Sequence, residues 1–411
     1  MKKIIAVSLI LGIMLMSFGI AVAGDDYENQ RYLVKSNNGM LKMMYGVQHN
    51  FDNGFTTDLS SGQLKVLEKF GVEVEEVELY QITGKPVCGN GIIEGGEKCG
   101  ELGLSDCSIG YVCENCKCIG EIAPEERTCR PSTQTPYGIT MVNGGSGGLG
   151  VNVVVLDTGV YKEHLDLNIN LCKDATKRGI KNGCADGNGH GTHVSGTIAA
   201  NGGSDSLGIF GVAPEANLGM IKVCGSGGNC WADDIATGIR YATDNGANII
   251  SMSLGGDTQN SLIKSAIDYA IDNGVLVIAA AGNDGPTNGS IDYPGANVNV
   301  IAVGAIDSAE VVPDWSSRGI NDGDYIVEER EVEFGAPGVN VESTWKDGCY
   351  TYMSGTSMAT PHLAGLAAKL WQGDSVSTRT YLQEQAKLHD LYTLGDDTAT
   401  GFGLPIAPTT E

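Results

Sequence analysis

The chain has 411 residues, with 50 Asp and Glu against 26 Lys and Arg, a formal net charge of −24. That balance repels nucleic acid and anionic lipid, which argues against a polyanion-binding role, and it favours solubility. The length allows one large domain of roughly 250 to 300 residues plus smaller ones.

Lys2 and Lys3 precede an apolar run from Ile4 to Ala23 that ends Ala-Val-Ala. This is the layout of a secretory signal, with cleavage expected after Ala23 and residues 1–23 removed. The run exceeds the ~7 to 15 residues of a usual signal core, so an uncleaved anchor is the alternative. No second apolar span follows, so no stable membrane span is expected after signal removal. Twelve cysteines in an exported chain read as disulfides, and the expected location is extracellular.

Residues 24–85 contain no Cys and offer strand-like RYLVKS and VEVEEVELYQI around a helical SSGQLKVLEKF, which predicts a small α+β domain. Residues 86–120 form a different module, with six cysteines between positions 88 and 118 and too few apolar residues to fold without cross-links. Three internal disulfides of open connectivity are expected there. A zinc reading of the C-x-x-C-x-C at 113–118 is secondary in an exported chain. Residues 121–130 read as a linker. From 131 to 411, short β-branched runs (VNVVVLD, ANLGMIKV, NIISMSL, VLVIAAA, VNVIAVG) alternate with helix-like stretches after His190, from Trp231 to Asn245, from Leu262 to Asn273 and from Thr356 to Trp371. That alternation predicts a parallel sheet flanked by helices, an α/β fold whose ligands bind beyond the carboxyl ends of the strands. Of the remaining cysteines, Cys172 with Cys184 and Cys224 with Cys230 are close in sequence, and Cys129 and Cys349 remain by parity.

Four positions at the ends of those strands and the starts of those helices carry chemistry. Ser357 lies in SGTSMATPHLAG, at the start of a helical run where free N–H groups and the positive end of the dipole can meet a developing anion. A serine hydroxyl is a poor nucleophile without a base, and the base needs an orienting group. His190 in DGNGHGTHVSGTIAA and Asp157 closing VVVLD supply them. Asn283, in AAAGNDG, can stabilise an oxyanion with its amide N–H. His193 reads as a structural histidine, because HGTH lacks the glutamate and spacing of a zinc-protease helix. Gly355 is read as allowing close approach of substrate backbone, and Pro361 as sitting in the first turn, where no intrahelical donor is wanted.

The segments VVVLDTGV, GHGTHVSGTIA, SMSLGG, AAAGNDG and GTSMATPHLAG resemble the subtilisin-like serine proteases, in that family's Asp, His, Ser order, over about residues 131 to 407. The resemblance implies a subtilisin-like catalytic domain over 131–411 that hydrolyses polypeptides through an acyl-enzyme. Ser357 would be the nucleophile, His190 the base and then acid, Asp157 its orienting partner, and Asn283 with the Ser357 N–H the oxyanion hole. It implies an extended substrate held between Gly228 to Cys230, including Asn229, and Ser253, Leu254 and Gly255. A pocket at Ala280, Gly282 and Asp292 would receive the residue before the cut, with Asp292 favouring Lys or Arg. A structural Ca²⁺ is implied at Asp166 and Asp205 with the carbonyls of Gly203, Leu207 and Ile209, and Gln134 completing the shell.

By the same resemblance, residues 24–85 are an inhibitor-like prodomain, making the chain an inactive precursor, and a monomer is expected. The inserted module departs from the family pattern and leaves maturation open: a cut near Lys85 keeps the module, one near Arg127 discards it. Its opening CGNGIIEGGEKC resembles cysteine-rich repeats of extracellular proteins and the start of disintegrin-like domains, and specifies no ligand. The competing function is a catalytically silent extracellular binding or adhesion protein, which would normally have lost one member of the constellation.

Overall fold

A computed structural model describes residues 30–83, 112–114, 117–119, 129–204 and 206–409. The expected signal segment, most of the expected cysteine-rich module with its three expected disulfides, and Asp205 lie outside the described residues. The chain divides into two compact units. Among the described residues, 30–46 and 52–76 form the first, and 47–51 with everything from Val77 onward form the second.

In the first unit β1 (Gln30–Val34) pairs antiparallel with β2 (Gly54–Leu59) and with β3 (Val74–Glu76). Leu33, Val34, Phe55 and Leu59 bury their side chains almost completely. Two short helices, α1 (Gly39–Tyr45) and α2 (Ser61–Lys69), complete this α+β unit. A capping box between Ser60 and Gln63 starts α2 by satisfying donors that its first turn leaves open.

The stretch VEVEEVELYQI, expected as one strand, forms two. Its first part is β3, and its second is β4 (Leu79–Ile82), which pairs with strands of the second unit. Between them Val77 is 1% exposed and the Glu78 carbonyl accepts the Ala232 N–H at 3.0 Å, so the backbone changes partners there. In the inserted module the described backbone is a hairpin of β5 (Val112–Glu114) and β6 (Lys117–Ile119).

The second unit is built on β7 (Asn152–Asp157), β8 (Ile169–Asp174), β9 (Lys181–Asn182), β10 (Asn217–Lys222), β12 (Ile249–Met252), β14 (Leu276–Ala280), β15 (Ile301–Ile306) and β16 (Phe334–Pro337). They form one eight-stranded sheet in the order β9-β8-β10-β7-β12-β14-β15-β16, parallel throughout except for the edge strand β9. Alternation along β7 assigns its two faces. Val153 and Val155 join the core that holds Met358, Ala359 and Leu363 of α7 (Thr356–Lys369) and Val194 and Ile198 of α4 (His190–Ala199). Leu156 points the other way, within 3.2 Å of where a side chain on Gly238 of α5 (Ala232–Asp244) would begin. Each fully buried Val or Leu contributes about 1.5–3 kcal/mol, so a charge at Val155 would unfold the centre of the sheet.

The helix α5 packs against α6 (Ser261–Asp272), which Asn260 caps, α8 (Ser375–Ala386) follows α7, and the short α3 (Tyr137–Met141) precedes β7 in the chain. Three disulfides close among the described cysteines, Cys129–Cys349, Cys172–Cys184 and Cys224–Cys230, as the sequence spacing and parity suggested. No helix among the described residues is long and apolar enough to cross a membrane.

Candidate active site

Asp157 ends β7 and His190 begins α4, both almost fully buried. Nδ1 of His190 lies 2.8 and 3.0 Å from the two carboxylate oxygens of Asp157, and the Thr158 N–H donates to Oδ1 at 2.6 Å. The two groups meet because the backbones touch: a Cβ on Gly191 would come within 2.1 Å of the Gly159 carbonyl oxygen. His190 Nε2 is buried and makes no hydrogen bond among the described residues.

The turn that carries His190 is held by Asp186, a residue for which no role was expected from the sequence. Its Oδ1 accepts the N–H groups of Asn188 and Gly189 and the Thr158 hydroxyl, and its Oδ2 accepts the N–H and hydroxyl of Thr192. It therefore ties the α4 N-terminus to the residue after Asp157. An Asp four positions before a Gly-flanked His was the available signal. His193, one turn on, meets the Val341 carbonyl at 2.9 Å, and burial, with His190 nearby, pushes its pKa down to about 3. It is neutral and structural, as expected.

Ser357 is the second residue of α7 and is fully buried. Its hydroxyl donates to the main-chain carbonyl of Thr83 at 2.9 Å and to that of Ser253 at 3.1 Å, and meets the Thr83 hydroxyl at 2.6 Å. Gly355, at φ 149°, occupies backbone space that side-chain-bearing residues rarely adopt. A Cβ there would sit 3.3 Å from the Thr83 oxygen, 3.4 Å from Asn283 Nδ2 and 3.7 Å from the Ser357 nitrogen. A peptide carbonyl oxygen and two N–H groups thus gather on one face of Gly355. Asn283 is aimed by its other atom, because Oδ1 accepts the N–H and hydroxyl of Thr356 at 3.0 and 3.1 Å.

Pro361 is not in the first turn but inside α7. With no N–H of its own, it frees the carbonyl four residues back, that of Ser357. That oxygen takes the Ser253 hydroxyl at 2.8 Å instead.

The predicted substrate edges form a three-stranded sheet with β4 at its centre, flanked by β11 (Asn229–Trp231) and β13 (Leu254–Gly255). Asn229 opposes Gln81 and Cys230 opposes Tyr80 on one side, while Leu254 opposes Ile82 and Gly255 opposes Gln81 on the other. The Ile82 N–H donates to Gly228 at 3.0 Å. Ala280 ends β14 and is fully buried. Asp292, 6% exposed, lies against both Gly255 and Gly282, at whose Cβ positions its Oδ2 would be 2.7 and 2.5 Å away. Its carboxylate can gather within 4.8 Å of those of the exposed Asp257 and Asp284. Burial first, then those two charges, push the Asp292 pKa up to about 7.

Asp166 is buried, and its Oδ2 accepts the Ile209 N–H at 2.9 Å and the Tyr350 hydroxyl at 2.7 Å. The loop wraps it so closely that a Cβ on Gly208 would overlap its Oδ1 at 1.9 Å. The carbonyl of Gly203 accepts the Ser206 N–H and that of Ile209 the Gly202 N–H. Gln134 Nε2 reaches the carbonyls of Ser206 and Gly208 at 2.6 and 3.3 Å. Leu207 is in the same loop, 45% exposed.

Comparison with known proteins decides which family carries this arrangement. The profile of the Subtilase family, peptidase family S8, matches residues 148–403. The subtilisin of Bacillus sp. strain TA39 is 39% identical over 421 aligned positions, covering 93% of this chain and 91% of that protein. The chain belongs to the Subtilase family. Subtilisin DY of Bacillus licheniformis is 40% identical over 278 positions, which cover 66% of this chain and 96% of that one. Among solved structures, sphericase aligns with a TM-score of 0.67 at 47% identity, covering 68% of this chain and all of its own. The S41 psychrophilic protease aligns at 0.65 and 47%, covering 67% and 99%. This subtilase is accordingly a serine endopeptidase of the subtilisin type, with the α/β fold that the strand runs implied.

Proposed function

We propose that the chain is the secreted precursor of an endopeptidase in which Ser357 attacks a peptide carbonyl, His190 Nε2 takes and returns the proton, and Asp157 fixes the ring. The observation that carries this is the contact between the Ser357 hydroxyl and the main-chain carbonyl of Thr83, whose oxygen lies 3.3 Å, and Asn283 Nδ2 3.4 Å, from the position a side chain on Gly355 would take. Polypeptides bind as β4 does, by backbone pairing to Gly228 and Asn229 on one edge and to Ser253, Leu254 and Gly255 on the other. The side chain before the cut enters between Gly255 and Gly282, near Ala280, and Asp292 at the end favours Lys or Arg there. Residues 24–85 act as an intramolecular inhibitor, a role supported by the pairing of Leu79–Ile82 with both edges.

The donor set around Asp166 suits a hard cation. It offers a buried carboxylate whose Oδ1 accepts no hydrogen bond from a described residue, and the carbonyls of Gly203, Leu207 and Ile209, which have two lone pairs each. Ca²⁺ held there by Asp166, Asp205 and those carbonyls would supply the charge that pins the loop. The deciding experiment is labelling with an organofluorophosphonate. Covalent modification at Ser357 in the processed protein, absent in Ser357→Ala, supports the assignment; an unlabelled, inert protein after processing sinks it.

A further inference from the structure

We infer that this chain cuts itself at the peptide bond between Thr83 and Gly84, so that the cysteine-rich module remains on the amino end of the working protease. The inference rests on the serine protease reading and goes beyond it, because the sequence leaves the maturation bond open between the neighbourhoods of Lys85 and Arg127.

Register selects the bond. Leu79–Ile82 lies antiparallel between β11 and β13, with Leu79 opposite Trp231, Tyr80 opposite Cys230, Gln81 opposite Asn229 and Gly255, and Ile82 opposite Leu254. Tyr80 locks that register. It is 2% exposed, its hydroxyl donates to the Thr258 carbonyl at 2.5 Å, and its ring lies 3.2 Å from where a side chain on Gly256 would begin. Asn260, Ile263, Tyr293 and Pro294 line the same cavity as Tyr80. A slip of one residue would turn the ring to the opposite face of the strand and lose that cavity. With Tyr80 seated, the third residue after it is Thr83, and its carbonyl oxygen is the one that Ser357 contacts at 2.9 Å, on the face of Gly355 that Asn283 Nδ2 also lines.

The chemistry closes on the same atoms. Ser357 Oγ bonds to the Thr83 carbonyl carbon as its proton passes to His190 Nε2. The bond from that carbon to the Gly84 nitrogen breaks, and the proton goes to the departing amine, leaving a Thr83 ester on Ser357. A water molecule then hydrolyses the ester, giving the Thr83 carboxyl group and returning a proton to Ser357 through His190. Thr83 offers Asp292 no positive charge, but a tethered segment reacts at an effective concentration far above that of a free peptide. The module 86–120 lies after this bond, and no cut separates it from Cys129, which is cross-linked to Cys349.

The test follows the first amino terminus that appears after signal removal and is absent in Ser357→Ala, in freshly expressed full-length chain, by intact mass and terminal sequencing, alongside Gly84→Pro. The inference expects an early product beginning at Gly84 that still contains residues 88–118, together with a fragment ending at Thr83. Ser357→Ala should stay uncut, and Gly84→Pro should remain joined at that bond while its soluble yield and thermal unfolding match those of Ser357→Ala. A first Ser357-dependent terminus near Arg127, or anywhere other than Gly84, in protein whose Ser357 takes the fluorophosphonate overturns the inference and leaves the protease reading standing. Absence of both labelling and cleavage in the wild-type chain overturns both.

Discussion

His190 meets Asp157 and His49 meets Asp234 across the same 2.8 Å, with side chains no more than 2% exposed in either pair. Distance and burial do not separate them; what surrounds each ring does. His190 spends Nδ1 on its carboxylate and keeps Nε2 without a hydrogen bond among the described residues, on the ring that opens α4. His49 spends Nε2 on Asp234, which with Asp233 occupies the first turn of α5, where carboxylates complement the positive end of the helix dipole. In the proposed mechanism the first pair leaves a nitrogen for a proton in transit; the second anchors a segment to a helix end.

The strongest break of this comparison is Asp157→Asn, which keeps the shape but favours the wrong tautomer and should lower kcat by about 10⁴-fold. A loss of tenfold or less, measured on a chromogenic peptide with active sites counted by titration, would make the first pair no more catalytic than the second. Cleavage after Arg relative to Leu should rise as pH passes upward through about 7, because Asp292 holds its proton below that value and is charged above it. Hydrogen bonds to charged groups contribute about 1.5–3 kcal/mol, so the rise should be ~10- to 100-fold, and Asp292→Gly should flatten it. Equal cleavage of matched Arg and Leu peptides across that range removes the role given to Asp292. Chelation should lower the melting temperature, and Asp166→Asn should abolish the difference between chelated and calcium-loaded protein. Unchanged unfolding on adding chelator removes the cation. The smallest effect belongs to His49→Asn: in the uncut Ser357→Ala precursor it should cost about 1–3 kcal/mol of stability, while enzyme processed from a chain carrying only His49→Asn, which has shed residue 49, should show the same kcat. A fall in that kcat would show the second pair to be more than an anchor.

Much of the site was legible because its parts sit at the ends of fully buried parallel strands, which read as unbroken apolar runs. VVVLD delivers Asp157, VLVIAAAGN delivers Asn283, and a glycine-flanked histidine opens the next helix. The strands that escaped notice lack that signal. Ile169–Asp174 is half polar because none of its residues is fully buried, and Phe334–Pro337 is four residues with a glycine and a proline. The two parts of VEVEEVELYQI could not be told apart because alternation is the same for any partner sheet, and only pairing reveals that Leu79–Ile82 lies where substrate is expected. Pro361 was misplaced although the helix starts at Thr356 as expected, because it is the sixth residue of α7 and so lies past the four N–H groups that lack intrahelical partners.

That proline has an outcome beyond its own helix. By leaving one oxygen of the ladder unclaimed, it lets the serine that would do the cutting clasp Ser253 twice, oxygen to hydroxyl in each direction. Blade and grip are thereby fastened together, so a disturbance of the strand that seizes a polypeptide is felt at once by the atom that opens it.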